Sequence, residues 1–241
     1  MKRSSVKGLM MLILLCTSQF VSAQDSIPTP SNKYIFFPYP LSNKTWHSSL
    51  GLTWMALPQN IAEEQVRVPA VDVHILRSVF KGFYLDGRIN AQFVQNHASV
   101  GLRWAHPITH KVSFSIGDDF AFWFGKRTIA SFDTKARGWM NYPNISVGYR
   151  LDNDLLFTLK GEALINLSSK STVAGMTVSD RSAKYNGWGA TLMLEQPFYS
   201  KKSISLGVRA MYTNFFWQTW SSHETVDRPV FYPEIIIGLI F

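Results

Sequence analysis

A few acidic and histidine side chains in this 241-residue chain could carry general acid–base chemistry. Asp118 and Asp119 are adjacent, and His97 and His223 lie in polar stretches. A histidine beside a carboxylate can act as a general base toward water or a serine hydroxyl. The sequence has no nucleophile elbow and no paired-histidine zinc motif, so we predict no catalytic site, no metal and no cofactor. A hydrolase that uses His97, Asp118, Asp119 or His223 is the alternative.

A larger set of charged side chains recurs at every second position along several segments. Side chains with this spacing share one face of a β-strand. The basic and acidic members are nearly equal in number, so we predict that they pair with one another inside a polar lumen. The set consists of Asp72, His74, Asp86, Arg88, Arg103, Lys111, Asp119, Arg150, Lys160, Glu162, Glu195, Arg209 and Glu234.

The elements that would position these charges are β-strands. From Phe83 to Phe93 the odd positions are apolar or glycine, and the even positions are polar or tyrosine. A helix would scatter such residues around its axis, whereas a strand sorts them onto two faces. We predict an all-β protein of about ten strands, with eight as the alternative because one segment contains Pro69. The segments are 46–57, 69–80, 82–95, 97–106, 110–123, 138–150, 154–166, 186–196, 202–217 and 230–241.

The connections between the segments alternate between short and long. Long polar stretches fall at 58–68, 125–137, 167–185 and 219–229, with a tight link near Asn96 as the exception. Up-and-down barrels of the outer membrane have this asymmetry, with short periplasmic turns and longer external loops. Segments of about ten to twelve residues also match the length that a tilted strand needs to cross the hydrocarbon.

The composition fits apolar residues that are finely interleaved with polar ones. The chain is 46% hydrophobic, yet its mean hydropathy is −0.01 and only 17% of its residues are charged. A charge content this low argues against disorder and against a coiled coil. A secreted soluble barrel that binds a small ligand would alternate in the same way and is an alternative. Aromatic residues at segment ends, such as Trp46, Trp104, Trp139 and Trp188, favour a membrane because such rings prefer the headgroup level.

The N-terminus has the pattern of a cleaved secretory signal. Basic residues precede a short apolar run from Gly8 to Cys16, and Val21 and Ala23 supply small residues for a cleavage site. Three of the cations behind the formal charge of +8 lie in this signal, so we predict no nucleic-acid partner. We predict a signal peptide over 1–23, a periplasmic lead-in over 24–44 and a barrel over 45–241.

The last segment has apolar residues at every second position and ends on an aromatic residue. Ile237, Leu239 and Phe241 carry this pattern. It resembles the C-terminal signal of bacterial outer-membrane β-barrel proteins. The resemblance implies insertion by the barrel-assembly machinery, location in the cell outer membrane, and contact with outer-membrane lipid and lipopolysaccharide. It does not specify an oligomeric state.

One charge conflicts with an apolar exterior. In the fifth segment Val112, Phe114 and Ile116 share a face that also includes Asp118. A charge on the lipid face of a barrel is costly near the middle of the membrane. We predict a β-bulge at Gly117 that turns Asp118 away from lipid; the alternative is that the strand reaches the outer interface there.

The predicted function is that of an integral outer-membrane barrel, either a structural or surface protein or a narrow passive channel with a charge-paired lumen. A ten-stranded barrel is narrow, so side chains should fill most of its interior. The alternative is an outer-membrane hydrolase or lipid A-modifying enzyme with its site at the extracellular rim. Two loops are net basic and could contact the phosphates of lipopolysaccharide. Their cations are Lys126, Arg127, Lys135, Arg137, Lys170, Arg181 and Lys184.

Overall fold

A computed structural model describes residues 30, 33–41, 45–56, 67–129, 132–199, 201–215, 217 and 229–241. The predicted signal peptide over 1–23, part of the predicted lead-in and the candidate residue His223 lie outside the described residues. Among the described residues, no helix has the length and apolar character needed to span a bilayer.

Ten antiparallel strands form one closed barrel. Each strand pairs with its neighbours along the chain, and β1 pairs with β10 to close the ring. The prediction of an all-β, ten-stranded, up-and-down barrel is confirmed, and the eight-stranded alternative is wrong. The strands are β1 (Trp46–Ala56), β2 (Arg67–Phe80), β3 (Phe83–Ala91), β4 (Gln95–Pro107), β5 (Val112–Ile129), β6 (Phe132–Arg150), β7 (Leu156–Val173), β8 (Met176–Pro197), β9 (Ser203–Thr213) and β10 (Val230–Ile240).

The wall of the barrel is apolar outside and largely polar inside. Successive residues of a strand face opposite sides of the wall, as the pleat requires. On β10, for example, Glu234 is only 3% exposed, whereas the next residue, Ile235, is 49% exposed on the exterior. A soluble barrel has the reverse arrangement, with apolar side chains inside and polar ones in water.

Two hairpins extend further than the sequence predicts. Residues 125–137 and 167–185, predicted as long polar loops, lie mostly in β5, β6, β7 and β8, so this prediction is wrong. β7 and β8 are joined at Ala174 and Gly175, whose φ angles of 51° and 83° suit a two-residue hairpin turn. The period-two pattern fades in these residues because polar side chains occupy both faces of a strand that has left the membrane.

β5 has no β-bulge at Gly117. Its register with β4 and with β6 is continuous on both sides of this residue. The prediction of a bulge is therefore wrong, and Asp118 stays on the outward face of β5. A polar neighbour compensates one of its oxygens instead, since Asn141 Nδ2 donates a hydrogen bond to Asp118 Oδ1 at 2.6 Å.

The two ends of the barrel differ. The short-turn end carries the connections at 81–82, 108–111, 151–155 and 198–202, together with the start of β1 and the end of β10. The opposite, long-hairpin end carries the extended β5–β6 and β7–β8 hairpins.

Three layers of side chains fill the interior between these ends. We call residues 33–41 the N-terminal segment. Its residues 34–37 pack against the wall and belong to an apolar layer at the short-turn end. An apolar layer at the long-hairpin end includes Trp123, Met140, Phe215 and Trp217. The charged side chains lie between the two apolar layers, and they form the candidate site.

Candidate functional site

Asp72 holds together one group of polar side chains on β2 and β3. Its carboxylate accepts hydrogen bonds from Arg88 Nε at 2.8 Å and from Asn90 Nδ2 at 3.2 Å. His74 Nε2 lies 2.8 Å from its second oxygen. The strand register creates this group, because Asp72 is opposite Asn90 and His74 is opposite Arg88. Such pairing offsets the cost of burying a carboxylate away from water.

Arg209 holds together a second group that spans four strands. Arg209 lies on β9, and its Nη2 donates a hydrogen bond to Glu162 Oε1 on β7. Its Nη1 lies 3.5 Å from Glu234 Oε2 on β10. Lys160 Nζ then lies 3.5 Å from Glu162 Oε2 and 3.4 Å from Asp119 Oδ2 on β5. Acids and bases therefore alternate across the lumen from β10 to β5.

Arg103 connects the polar layer to the N-terminal segment. On the wall, its Nη2 contacts the carboxylate of Asp86 on the neighbouring strand β3. Its Nη1 donates to the backbone carbonyl of Ile35 at 3.0 Å. Arg103, which strand parity places in the lumen, therefore binds the N-terminal segment as well as another charged side chain.

Glu195 binds the N-terminal segment through three backbone amides. Its carboxylate accepts the N–H groups of Ile35 at 2.7 Å, Phe36 at 3.1 Å and Phe37 at 2.8 Å. Hydrogen bonds from backbone amides to a carboxylate are stronger than those between neutral groups. Glu195, which the sequence places in an ion-pair network, is instead the anion that fixes a folded segment inside the barrel.

Tyrosine hydroxyls complete the binding of this segment at the short-turn end. Tyr84 Oη on β3 accepts the N–H of Leu41 at 2.6 Å and donates to the carbonyl of Tyr39 at 2.9 Å. Tyr34 Oη donates to the same carbonyl at 3.0 Å. Strand periodicity gives the inward position of Tyr84 but does not identify the segment that its hydroxyl binds. The signal was the aromatic run Tyr34–Phe37 in an otherwise Pro- and Ser-rich stretch.

A small cavity of about 70 Å³ lies within the polar layer. A water needs roughly 10–15 Å³ of such space and two to four polar partners, so this cavity suits a few ordered waters. Among its lining residues are Phe36, Arg88, His97, Asp119, Lys160 and Glu162.

The candidate catalytic residues do not converge. His97 is buried inside the barrel. Its ring stacks on that of Trp217 with the two ring centres 4.9 Å apart, and its Nε2 lies 3.3 Å from Tyr142 Oη. Asp119 faces the same lumen, whereas Asp118 faces outward, so the two adjacent carboxylates lie on opposite sides of the wall. No arrangement of a base, an acid and a nucleophile is present among the described residues.

Two cations predicted for the lumen lie at the short-turn end. Lys111 is in the turn before β5, where its Nζ lies 2.6 Å from Asp152 Oδ1, so its predicted place in the lumen is wrong. The hydrogen bond and the charge of Asp152 raise the pKa of Lys111 above its usual value. Arg150 is the last residue of β6, and its Nε donates to Asp154 Oδ1 at 2.8 Å. Both positions have the inward parity, but the polar layer does not extend to them.

Four exposed cations form a cluster on the outward face of the long hairpins. Lys126 is directly opposite Lys135, and Arg137 is directly opposite Lys170. Asp133 offsets part of this charge, with Oδ2 at 3.6 Å from Lys126 Nζ. Like charges directly opposite each other on a sheet repel. We name these four residues the basic rim, and an anion bound there would stabilise it.

The closed ring, the apolar exterior and the polar interior define the class of the protein. A closed β-barrel satisfies all of its backbone hydrogen bonds within the wall, and its apolar side chains can face hydrocarbon. Exposed aromatic side chains near strand ends, including Trp46, Tyr149 and Phe241, agree with a membrane-spanning barrel. The chain is an outer-membrane-type β-barrel protein.

No protein-family model and no curated protein matches the chain. Similar solved structures include Neisserial surface protein A (9% identity, TM-score 0.42), with 81% of this chain and 95% of that chain covered. The translocator domain of the autotransporter NalP from Neisseria meningitidis has 8% identity and a TM-score of 0.42, over 98% and 97% of the two chains. The P. putida toluene transporter TodX has 9% identity and a TM-score of 0.33, over 82% and 69%.

Proposed function

We propose that this chain is a structural barrel of the outer membrane whose lumen is closed and whose long hairpins are displayed at the cell surface. The observation that carries the proposal is the N-terminal segment at residues 33–41, which is held inside the short-turn end by Glu195, Arg103 and Tyr84. A conducting pore needs a continuous water path. Apolar layers on both sides of the polar layer oppose such a path, because apolar constrictions expel water.

A narrow passive channel is the second candidate, and the charged middle layer, whose cavity has room for a few waters, favours it. Planar-bilayer recordings of the full chain separate the two candidates. A structural barrel gives no discrete current steps, while a known porin added to the same bilayer serves as the positive control. Discrete steps from the wild-type protein at a comparable frequency would refute the closed barrel and support the channel.

The basic rim supports lipopolysaccharide as the lipid partner. Barrels of this class place their short turns in the periplasm, so the basic rim belongs at the outer leaflet. On β5, Lys126 lies two residues beyond the outward-facing Phe124, which puts its ammonium group near the headgroups. Phosphates at this level would replace the repulsion between Lys126 and Lys135 with charge-assisted hydrogen bonds.

The end of β10 supports recognition by the barrel-assembly machinery. Phe241 is 37% exposed, and Lys202 Nζ lies 5.2 Å from the centre of its ring. An exposed ring is accessible to a partner protein, and the predicted signal peptide would deliver the chain to that partner. Phe241→Ala should lower the folded fraction in the outer membrane of cells but leave refolding of the purified chain in detergent unchanged. Equal loss in both settings would indicate a role in stability alone.

A further inference from the structure

Asp118 and Asn141 form a polar pair on the outward face of the barrel, near the middle of the membrane. On β5, Asp118 is four residues from Phe114 and four residues from Phe122. Phe114 packs on Trp104 toward the short-turn end, and Phe122 packs on Trp139 toward the long-hairpin end. These two aromatic pairs mark opposite interfaces, so Asp118 lies about halfway between them.

Hydrocarbon cannot satisfy this pair. Asn141 Nδ2 donates one hydrogen to Asp118 Oδ1, which leaves its second N–H, its carbonyl oxygen and Asp118 Oδ2 unpaired among the described residues. Polar groups at this depth are costly when they face lipid, and they usually mark a contact or a functional site. The outward wall at β5 and β6 therefore needs a polar partner.

The surface near the pair has a gap at Gly161. Pro143 is directly opposite Asp118 and presents only its compact ring, and Gly161, directly opposite the outward-facing Ile145, has no side chain. A Cβ atom added at Gly161 would meet nothing within 4 Å. Small residues let two membrane-embedded walls approach closely. We call Asp118, Asn141, Pro143 and Gly161 the polar face.

We propose that the polar face is a self-association site, occupied by the polar face of a second copy of this chain. Around a two-fold axis, the free N–H of Asn141 in one copy would donate to Asp118 Oδ2 of the other, and the reverse contact follows by symmetry. The pair thus carries both the donor and the acceptor that its partner requires. A lipid tail carries neither, and a different protein would have to supply both.

The first experiment compares association in lipid vesicles. Full-length chains labelled with donor or acceptor dyes are reconstituted at decreasing protein-to-lipid ratios, and energy transfer gives the dissociation constant. Wild-type protein should associate, and Asn141→Leu and Gly161→Phe should each weaken association by roughly tenfold or more, as expected for lost membrane hydrogen bonds or lost close approach. Gly87→Phe is the matched control, since Gly87 is also outward-facing with its nearest atom 3.8 Å away.

Folding is checked separately, so that a loss of association has one cause. Each variant must keep the heat-dependent shift in electrophoretic mobility that folded barrels show, and the open space at Gly161 predicts that Gly161→Phe does so. The proposal is overturned if wild-type protein is monomeric at every ratio, or if Gly161→Phe associates as tightly as wild type. Recovery of the wild type bound one-to-one to a different protein would overturn it as well.

Cysteine cross-linking locates the interface. Ile145 lies beside the polar face, so Ile145→Cys should form a disulfide-linked dimer under mild oxidation. Val208 on β9 is equally exposed, and Val208→Cys should not form one. The single cysteine of the sequence, Cys16, lies in the predicted signal peptide, and the unsubstituted protein gives the background. Cross-linking at Val208 but not at Ile145 would place the interface elsewhere and refute the proposal.

Discussion

The carboxylate of Glu195 accepts the backbone N–H of Phe37 at 2.8 Å, although 158 positions separate the two residues in the chain. The same carboxylate accepts the amides of Ile35 and Phe36, so one side chain of β8 fixes three consecutive residues of the N-terminal segment. The position of the N-terminal segment inside the short-turn end therefore depends on a specific polar contact as well as on apolar packing.

Glu195→Gln should loosen the N-terminal segment. The substitution removes the charge and one acceptor oxygen, so at least one buried amide loses its partner, at a cost of about 1–3 kcal/mol. Hydrogen exchange at the amides of residues 35–37 should accelerate by roughly tenfold or more. Gln196→Ala, at the next and exposed position, is the control and should leave exchange unchanged. Wild-type exchange rates in Glu195→Gln would contradict this account of the segment.

Gly148→Ala should displace the same segment by steric overlap. A Cβ atom at Gly148 would lie 2.5 Å from Cε2 of Phe37 and 2.6 Å from Cδ of Pro38. Overpacking of this kind typically costs about 1–3 kcal/mol. Limited proteolysis near residues 33–41 should become faster while the barrel stays folded. In Gly87→Ala the nearest atom is 3.8 Å away, so that variant should be cleaved at the wild-type rate.

Arg209→Met should destabilise the barrel strongly. It leaves the carboxylates of Glu162 and Glu234 in the lumen without their main cation, and breaking a buried pair in this way costs about 3–5 kcal/mol. Urea-induced unfolding in lipid vesicles measures the loss. Adding Glu162→Gln to Arg209→Met should restore part of the stability. If the two substitutions have additive effects, the ion pair is not coupled as the geometry requires.

Charge removal at the basic rim should weaken binding of lipopolysaccharide. Lys135→Gln with Arg137→Gln halves the number of cations in the rim, so the retention of lipopolysaccharide phosphate during detergent purification should fall, and the remaining binding should depend less on salt. Lys201→Gln at the short-turn end is the control, because the proposed orientation places that end in the periplasm. Equal retention in the rim variant and the control would argue against the rim as the binding surface.

The wall of the barrel was predictable from the sequence because lipid and lumen impose opposite demands on successive residues. On β3 the outward-facing Leu85 and Ile89 alternate with the inward-facing Asp86 and Asn90, which shows these two demands directly. Where a strand extends beyond the membrane, neither face contacts lipid, so apolar and polar residues no longer alternate. The hairpin that turns at Ala174 and Gly175 was therefore predicted as a loop.

The polar interior was predictable in its residues and less so in its partners. Strand parity identified the inward side chains, but the register decides that Asp72 meets Arg88 while Lys111 lies outside the lumen. The role of Glu195 depends on the N-terminal segment, which has no periodicity to read. The sequence shows Asp118 as a charge on an apolar face, but it does not show that Asn141 compensates this charge in place of a β-bulge.

The contacts of the N-terminal segment also constrain the order in which the molecule can form. The segment is bound by Tyr84 on β3, Arg103 on β4 and Glu195 on β8, so its complete binding site exists only after the eighth strand has joined the wall. If strands join the wall in chain order, residues 35–37 reach their final contacts only after β8 has been added.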